Sequence, residues 1–358
     1  MNPPQTVSSR FITLLLLGLT SASAQNIFVA NFGNNTVSEF GADGNLVNAT
    51  FASGLDSPSG MAFDRTGNFY VANHNGGLKQ NVSEFNSAGG LIAATFVGGL
   101  NTPEGLAFDT NGNFYLSNSG DNTVLEFDAS GKNLLRTISN PNLTQPIGLA
   151  FDRKGNLYVA NRGDGVVAEF DADGNPVNGG IFASGLNDPE GVAFDSRGNL
   201  YVASFLDGTV SLFDPAGNLI TATFASGLSH PIGLAFDTAG NLYAANFTGN
   251  TVSKFDAAGN LINAAFFSGL NSPSYIAIQG ISLPISQPTA PTLAVKYMAG
   301  RVTVSWPFAA GYILQQNSDL TTANWLPASS SIATNGAVES VIITNEPANN
   351  LFFRLSQP

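Results

Sequence analysis

An internal repeat dominates the chain and constrains its fold more than any other feature. The repeating unit reads Gly-Leu-Ala-Phe-Asp-x-x-Gly-Asn-Leu-Tyr-Val-Ala-Asn, then Thr-Val-x-Glu-Phe-Asp-x-x-Gly-Asn, then Phe-Ala-Ser-Gly-Leu-x-x-Pro. The phenylalanine of the Ala-Phe-Asp step recurs at spacings of 45, 43, 43 and 42, at Phe63, Phe108, Phe151, Phe194 and Phe236. A period of this length is typical of proteins that build one small sheet from each repeat.

Each repeat contains four short runs rich in Val, Leu, Phe, Tyr and Thr, separated by Asp-x-x-Gly-Asn or Gly/Pro turns. This pattern predicts one four-stranded antiparallel sheet per repeat. The turn aspartate can accept a hydrogen bond from the backbone two residues on, and the turn glycine supplies a positive φ. Runs such as Leu-Tyr-Val-Ala are apolar on both faces. Each sheet therefore needs a neighbour on both sides, as in a ring of blades.

The number of copies predicts six blades. Second strands begin near residues 26, 68, 113, 156, 199 and 241, whereas first strands begin near only five positions, 60, 105, 148, 191 and 233. Residues 275–278 have the right place and composition for the sixth first strand. The segment 26–55 then supplies the other three strands of that blade, which closes the ring without an open edge. The predicted fold class is all-β: a six-bladed β-propeller followed by a small β-sandwich-like domain.

The first 24 residues have the pattern of a secretory signal peptide. Arg10 precedes an apolar run of ten residues, and the Ala-Ser-Ala at 22–24 predicts cleavage after Ala24. The run is shorter than the roughly 20 residues that span a bilayer, so no membrane span is expected. A secreted chain with no cysteine fits an exported bacterial protein, extracellular or periplasmic.

Composition excludes several classes of function. The absence of cysteine excludes a thiolate zinc site and a cysteine nucleophile. Residues 25–280 hold 9 basic and 22 acidic side chains, a net charge of -13, which argues against nucleic acid as a partner. With two histidines in the whole chain, a three-histidine zinc site is impossible.

The core of the unit, Gly-Leu-Ala-Phe-Asp-x-x-Gly-Asn-Leu-Tyr-Val-Ala, resembles the NHL repeat over residues 26–280. It resembles the gluconolactonase-type six-bladed propellers more loosely. NHL units usually continue Val-Ala-Asp, whereas this chain has Asn31, Asn73, Asn118, Asn161, Ser204 and Asn246 at that position. The resemblance implies a propeller spanning residues 25–280. The resemblance does not predict a function, because β-propellers serve in binding, in scaffolding and in catalysis.

The composition changes after Gln279. Residues 281–291 contain three prolines and no charge, which predicts a semi-rigid linker. Residues 292–358 contain alternating runs at 301–306, 311–315, 338–343 and 351–355, which predict a small antiparallel β-domain with Trp306 and Trp325 in or near its core. It is similar to the C-terminal β-domains of secreted bacterial proteins. That similarity implies surface retention or carbohydrate binding and leaves the choice open.

The loops of the predicted propeller divide into a uniform face and a variable face. The first-to-second and third-to-fourth connections are mostly Asp-x-x-Gly-Asn turns, whereas the other connections diverge. After the Asn or Ser that ends each second strand come, in order, Phe32, His74, Ser119, Arg162, Phe205 and Phe247. We predict the ligand-binding residues on this variable face, around the central channel: Phe32, His74, Arg162, Phe205 and Phe247. Unconstrained drift of the loops is the alternative.

Two glutamates stand near the same face. Glu104 and Glu190 follow the loop prolines of alternate blades, where the other copies have Ser or Ile. Their Pro-Glu-Gly context resembles the metal-binding carboxylate of gluconolactonase-like propellers. The resemblance implies that Glu104 or Glu190 binds a divalent cation such as calcium. Two solvated carboxylates at a loop–strand junction are the alternative.

Two further columns of the repeat have structural interpretations. Glu39, Glu84, Glu126 and Glu169 recur at one position of the third strand, and we predict that they solvate the outer part of each blade. Tyr70, Tyr115, Tyr158, Tyr201 and Tyr243 recur in the second strand, and we predict that they pack between blades.

Two hypotheses of function follow. The first is a secreted, non-enzymatic, monomeric binding module that uses aromatic anchors and a few charges to bind a protein, peptide or carbohydrate ligand. The alternative is a metal-dependent lactonase or hydrolase of the gluconolactonase type, in which the cation polarises a carbonyl and activates water. A purely structural surface protein would need neither site.

Overall fold

The structure is a computed structural model that describes residues 25–74, 80–279 and seven strand segments between 294 and 356. Residues 25–279 form six four-stranded antiparallel sheets. In the first, the strands run in the order β24, β1, β2, β3, and in the other five the chain order is also the spatial order. The predicted all-β, six-bladed propeller is therefore confirmed.

The blades are defined by the following strands. Blade 1 holds β1 (Ile27–Asn31), β2 (Thr36–Phe40), β3 (Leu46–Ala52) and β24 (Pro273–Ile278). Blade 2 holds β4 (Pro58–Phe63), β5 (Phe69–Asn73), β6 (Asn81–Phe85) and β7 (Leu91–Val97). Blade 3 holds β8 (Pro103–Phe108), β9 (Phe114–Asn118), β10 (Thr123–Phe127) and β11 (Leu134–Ser139), with a short 3-10 turn at Ser119–Asp121.

The remaining three blades follow the same plan. Blade 4 holds β12 (Pro146–Phe151), β13 (Leu157–Asn161), β14 (Val166–Phe170) and β15 (Pro176–Ala183). Blade 5 holds β16 (Pro189–Phe194), β17 (Leu200–Ser204), β18 (Thr209–Phe213) and β19 (Leu219–Ala225). Blade 6 holds β20 (Pro231–Phe236), β21 (Leu242–Asn246), β22 (Thr251–Phe255) and β23 (Leu261–Phe267).

The ring closes through pairing of strands from the two ends of the propeller. Strand β24 pairs antiparallel with β1, with Ile278 opposite Ile27 and Ala277 opposite Phe28. The backbone N–H of Gln279 adds a 3.0 Å hydrogen bond to the carbonyl of Asn26. This is the predicted closure, in which the first blade takes its inner strand from the C-terminal side.

The hydrophobic core lies between the blades. Second strands such as Ile27–Asn31 are buried along their whole length, because a neighbouring blade covers each face. Phe28 of blade 1 and Phe69 of blade 2 are fully buried in one such layer, with ring centroids 5.8 Å apart. Removing a phenylalanine of this kind costs about 3–5 kcal/mol. The second-strand tyrosines are buried in the five other layers between blades, as predicted.

The Asp-x-x-Gly-Asn segments form the predicted turns. In the blade 2 copy, Asp64 Oδ1 accepts backbone hydrogen bonds from Thr66 and Asn68 at 2.9 and 2.8 Å. Gly67 has φ +88, a conformation that favours glycine. The turn therefore follows from local chemistry, which is why it repeats so uniformly.

The asparagines that depart from the NHL pattern connect loops to blades. Asn73 is fully buried, and its Oδ1 accepts the backbone N–H of Asp56 at 2.9 Å. In the next blade, Asn118 Oδ1 accepts the N–H of Asn101 at 2.7 Å. The carboxamide oxygen accepts hydrogen bonds from such buried N–H groups, and no charge has to be buried. Asparagine at this position therefore has a structural role.

The interpretation of the third-strand glutamates as solvated is wrong. Glu126 and Glu169 are buried, and Glu39 and Glu84 are half-buried. Tyr158 donates a 2.8 Å hydrogen bond to Glu169, and Tyr70 donates a 3.1 Å hydrogen bond to Glu84. In blades 2 and 4, the glutamate therefore accepts the hydroxyl of the tyrosine on the neighbouring second strand.

Glycines let the inner strands approach one another around the channel. A Cβ on Gly60 would lie 2.0 Å from the carbonyl oxygen of Glu104, and one on Gly105 would lie 2.3 Å from that of Ile147. Gly148, Gly191 and Gly233 make equivalent approaches to the next inner strand. The close packing of the inner strands therefore depends on this glycine column.

The C-terminal strands form two antiparallel sheets. One has the order β25, β26, β30, β29, and the other the order β28, β27, β31. Their bounds are β25 (Ala294–Met298), β26 (Arg301–Pro307), β27 (Ile313–Asn317), β28 (Leu326–Pro327), β29 (Ile332–Asn335), β30 (Val338–Ile343) and β31 (Phe352–Ser356). The predicted signal peptide, the linker at 281–291 and Trp325 lie outside the described residues. No helix within the described residues has the length and hydropathy needed to cross a membrane.

The Gly60→Ala variant tests the role of the inner-strand glycines. We expect it to lose about 2 kcal/mol of unfolding free energy, because the new methyl group meets backbone rather than a movable side chain. Urea unfolding measures this loss. The control is Gly98→Ala, where the nearest atom is a threonine methyl at 3.0 Å. Equal stabilities of the two variants would contradict the prediction.

Candidate functional site

Six equivalent residues surround one end of the central channel, each directly after the second strand of its blade. They are Phe32, His74, Ser119, Arg162, Phe205 and Phe247, which we call the mouth ring. Each donates its backbone N–H to the residue before a loop proline; for Phe32 the acceptor is Ser272 at 3.1 Å, and for Arg162 it is Gln145 at 3.2 Å. The backbone therefore fixes all six residues at one level of the propeller.

The acceptor residues have an unusual backbone conformation. Ser57, Thr102, Gln145, Asp188, His230 and Ser272 all have φ between 49 and 58. Residues other than glycine adopt this left-handed region at a cost of about 1–3 kcal/mol, so the surrounding structure must impose it. The loops of the variable face are therefore held in one conformation in every blade.

The five predicted ligand-binding residues form one continuous series of side-chain contacts. The Phe32 ring lies 5.5 Å from that of His74 and 5.7 Å from that of Phe247. Phe205 lies 6.4 Å from Phe247, and the Arg162 guanidinium lies 5.8 Å from the Phe205 ring centre. The structure thus brings together residues from blades 1, 2, 4, 5 and 6.

The two predicted glutamates lie beneath the mouth ring and are buried rather than solvated. The exposed fractions of the Glu104 and Glu190 side chains are 11% and 4%. Glu104 Oε1 is 2.6 Å from Nδ1 of His74. Glu190 Oε1 is 2.5 Å from Nη2 of Arg162, although the N–H lacks the alignment of a hydrogen bond. Each glutamate therefore pairs with a mouth-ring residue.

Sequence reasoning missed Asp188, which holds Arg162 from a second side. Its Oδ1 is 2.6 Å from Nε of Arg162. The guanidinium therefore contacts two carboxylates while its side chain stays 39% exposed. The only sequence signal was an acidic residue before the loop proline, found in no other copy of the repeat.

Sequence reasoning also missed Tyr275, which lies on the inner strand β24. The other five inner strands carry glycine at this position, namely Gly60, Gly105, Gly148, Gly191 and Gly233. The Tyr275 hydroxyl is buried and has no hydrogen-bond partner among the described residues. Leaving a buried polar group unpaired costs about 1–3 kcal/mol. Aligning the first strands of the repeat would have revealed this exception.

Burial and charge shift the pKa values of these groups. Burial raises the pKa of Glu190 to about 8; Arg162 opposes the shift, while Glu104 and Asp188 add to it. The close contact with the Glu104 carboxylate raises the pKa of His74, and burial opposes that shift. Burial, and then the charges of Glu104 and Glu190, raise the pKa of Tyr275, so its hydroxyl stays protonated. The surroundings of these three groups therefore shift all three pKa values upward.

The second histidine also lies at this face. The ring of His230 is 4.5 Å from that of Phe205, and its Nδ1 is 2.8 Å from Oγ1 of Thr248. His230 therefore packs against Phe205 of the mouth ring, whereas His74, itself a member of the ring, contacts Glu104.

Both glutamates predicted to bind a divalent cation already contact a basic side chain. Within the described residues, no three His, Asp or Glu side chains are grouped as a metal site would need. Glu104 contacts His74, and Glu190 contacts the guanidinium of Arg162, whose permanent charge would repel a dication. The metal on Glu104 or Glu190 stays a prediction.

Known proteins resemble this chain in fold, at low sequence identity. No family model and no curated protein matches the chain. A structure from a nidogen/laminin complex is 20% identical, with a TM-score of 0.61 over 71% of this chain and 98% of the other. A Bacteroides caccae protein of unknown function is 17% identical, with a TM-score of 0.55 over 72% of this chain and 99% of the other.

A third similar structure is an inactive variant of virginiamycin B lyase from Staphylococcus aureus with quinupristin. It is 10% identical, with a TM-score of 0.50 over 80% of this chain and 93% of the other. At these identities the likeness extends to the fold alone. Function has to be argued from the site.

The Glu190→Gln variant tests the protonation of the buried carboxyl. The pKa of Glu190 is raised in the folded state from 4.5 to about 8, so the folded protein holds a proton that the unfolded chain releases. The contribution of Glu190 to the free energy of unfolding is therefore fully present below about pH 4.5, and it is lost as the pH rises towards 8. Between pH 5 and 8 we expect the wild type to lose at least about 1 kcal/mol relative to Glu190→Gln.

Urea unfolding of both proteins at pH 5, 6.5 and 8 measures this difference. His74 is present in both proteins, so its titration cancels to first order. A difference that does not change with pH would mean that Arg162 keeps Glu190 ionised throughout.

Proposed function

We propose that this chain is a secreted NHL-type propeller that binds a protein, peptide or carbohydrate ligand at its mouth ring, with Glu104 and Glu190 beneath. The observation that carries the proposal is the continuous contact between the five residues predicted for this role, which come from five different blades. Drift of unconstrained loops would not be expected to assemble such a series.

The phenylalanines supply the apolar part of the proposed site. Phe32, Phe205 and Phe247 are half-buried, so each ring is supported from behind and still presents surface to a ligand. Supported aromatic rings lose little conformational entropy on binding, which makes them effective anchors.

Arg162 supplies the main exposed polar group of the proposed site. Its contacts with Asp188 and Glu190 hold the guanidinium in place before any ligand arrives. A side chain that is already ordered loses less entropy on binding, so its contacts contribute more to affinity. Arginine beside aromatic residues is also the composition typical of binding surfaces.

The location and domain plan are part of the proposal. We propose that the signal peptide 1–24 is removed on export. The propeller then comprises residues 25–280, the linker residues 281–291, and the C-terminal domain residues 292–358. The support is the pattern of the N-terminal sequence and the repeat. Intact mass of the exported protein tests the first point, with Gln25 as the expected first residue.

Alanine at all three phenylalanines tests the proposed site. We expect wild-type protein immobilised through its C terminus to select ligands from a random peptide library or a glycan array. We expect the Phe32→Ala, Phe205→Ala, Phe247→Ala triple variant to bind the selected ligand at least about a hundredfold more weakly. Surface plasmon resonance measures both affinities.

The matched control removes apolar surface elsewhere. Leu46, Leu91 and Leu134 are 53–57% exposed on the outer strands of blades 1 to 3. Their triple alanine variant should bind as the wild type does. If this variant lost binding and the phenylalanine variant kept it, the proposed site would be wrong.

Metal dependence separates this proposal from the lactonase hypothesis. A lactonase of the gluconolactonase type needs a divalent cation on Glu104 or Glu190, whereas the binding module needs none. We expect the melting temperature to differ by less than about 1 °C between millimolar calcium and chelator. A larger shift that Glu104→Gln or Glu190→Gln abolishes would favour the lactonase.

A further inference from the structure

The chain contains four Asn-Gly steps, which begin at Asn75, Asn111, Asn178 and Asn335. At such a step the backbone nitrogen of the glycine can attack the side-chain amide carbon of the asparagine, because glycine has no Cβ to hinder the approach. The structure describes both residues of the step at 111–112 and at 178–179. At these two places, the reaction depends on how the fold holds the two groups.

Asn178 is the third residue of the outer strand of blade 4, and it has no partner in the register of its sheet. In the other five blades, the third residue of the outer strand lies opposite the fourth residue of the third strand. Those pairs are Glu39–Asn48, Glu84–Ala93, Glu126–Arg136, Leu212–Thr221 and Lys254–Asn263. In blade 4 the register pairs neither Glu169 nor residues 177–180. The Asn178–Gly179 step therefore lies in a bulge.

The bulge leaves room around the two groups that would react. Asn178 has φ 49, and Gly179 and Gly180 have φ 86 and 87, so the chain departs from the extended path here. A Cβ added to Gly179 would meet no atom within 4 Å. The Asn178 side chain is exposed and makes no hydrogen bond within the described residues. Its amide is therefore free to turn towards the next backbone nitrogen.

The step at Asn111 is held in the opposite way. It belongs to the Asp-x-x-Gly-Asn turn between β8 and β9, where Gly112 donates its backbone N–H to the carbonyl of Asp109 at 3.1 Å. Asn111 donates its own backbone N–H to Oδ1 of Asp109 at 2.8 Å, and its side-chain nitrogen lies 3.5 Å from Oδ2. Both groups that would react are therefore already bound to the turn aspartate.

We propose that Asn178 is a site of spontaneous deamidation, at which the side-chain amide becomes a carboxylate through a succinimide ring formed with Gly179. Asn111 has the same two residue types but is protected by its turn. This inference concerns the outer strand of blade 4 and does not rest on the proposed function.

The reaction balances with water as the only co-reactant. The backbone nitrogen of Gly179 forms a bond to Cγ of Asn178, and the side-chain nitrogen leaves as ammonia with the proton that Gly179 gives up. Water then opens the ring. Cleavage of the new bond to Cγ gives aspartate at position 178, and cleavage of the original peptide bond gives isoaspartate. The sum is one water consumed and one ammonia released.

The product changes the rim of blade 4 in two ways. It adds a negative charge to a propeller whose residues 25–280 already carry a net charge of -13. Isoaspartate also adds one carbon atom to the main chain. Because residues 177–180 have no partner in the register, no pairing of β15 with β14 has to break to accommodate that atom.

Ageing of the full chain at about pH 8 and 37 °C tests the proposal, with peptide mapping by mass spectrometry as the readout. We expect the carboxylate to form at Asn178 at least about tenfold faster than at Asn111, because a reaction of this kind depends steeply on the approach of the two groups. Both aspartate and isoaspartate should form at Asn178, since the ring opens at either carbonyl.

Unfolding and a trapping reagent provide the controls. In guanidinium chloride the two rates should come within about threefold of each other, because the fold then protects neither step. Hydroxylamine cleaves the chain at a succinimide, so the folded protein should be cut after Asn178 and not after Asn111. The Asn178→Gln variant should lose that cut and leave the rate at Asn111 unchanged.

Two results would overturn the inference. One is a rate at Asn178 in the folded chain that equals or falls below the rate at Asn111. The other is a product at Asn178 that contains aspartate without isoaspartate, which would mean direct hydrolysis of the amide. Neither result bears on ligand binding at the mouth ring, which the library selection decides by itself.

Discussion

The structure depends on covering both faces of every second strand. Strands such as Ile27–Asn31 and Phe69–Asn73 are buried end to end, so each blade needs a neighbour on each side. A row of such blades leaves two uncovered apolar faces at its ends, and only a closed ring removes both. The pairing of β24 with β1 completes that ring, so the first blade is assembled from both ends of the propeller.

Closure also creates the site. The antiparallel order of strands places the ends of all six second strands at one face, and the backbone hydrogen bond after each strand fixes the mouth ring. Beneath it, the inner strands approach so closely that glycine is needed in five of them. Side chains from separate blades are therefore brought into contact, and the charges of the buried glutamates interact strongly with their partners.

The repeat allowed much of this arrangement to be predicted. Equivalent positions in a closed ring must lie at one level. The variable positions after each second strand therefore predicted that Phe32, His74, Arg162, Phe205 and Phe247 lie at one face. The same reasoning misread the third-strand glutamates. In blades 2 and 4 the partner of the glutamate is a tyrosine on the neighbouring strand, and the sequence pattern does not show that hydrogen bond.

The sequence by itself determined the blade, the number of blades, the turns and the two faces, because these follow from local chemistry repeated at a fixed period. Tertiary structure alone decided which charges meet. Asp188 and Glu190 both reach Arg162, and His74 reaches Glu104, across blades separated by dozens of residues. It also decided that the Tyr275 hydroxyl is buried. The physical reason is that burial and charge pairing depend on distances through the channel, and a linear pattern does not contain those distances.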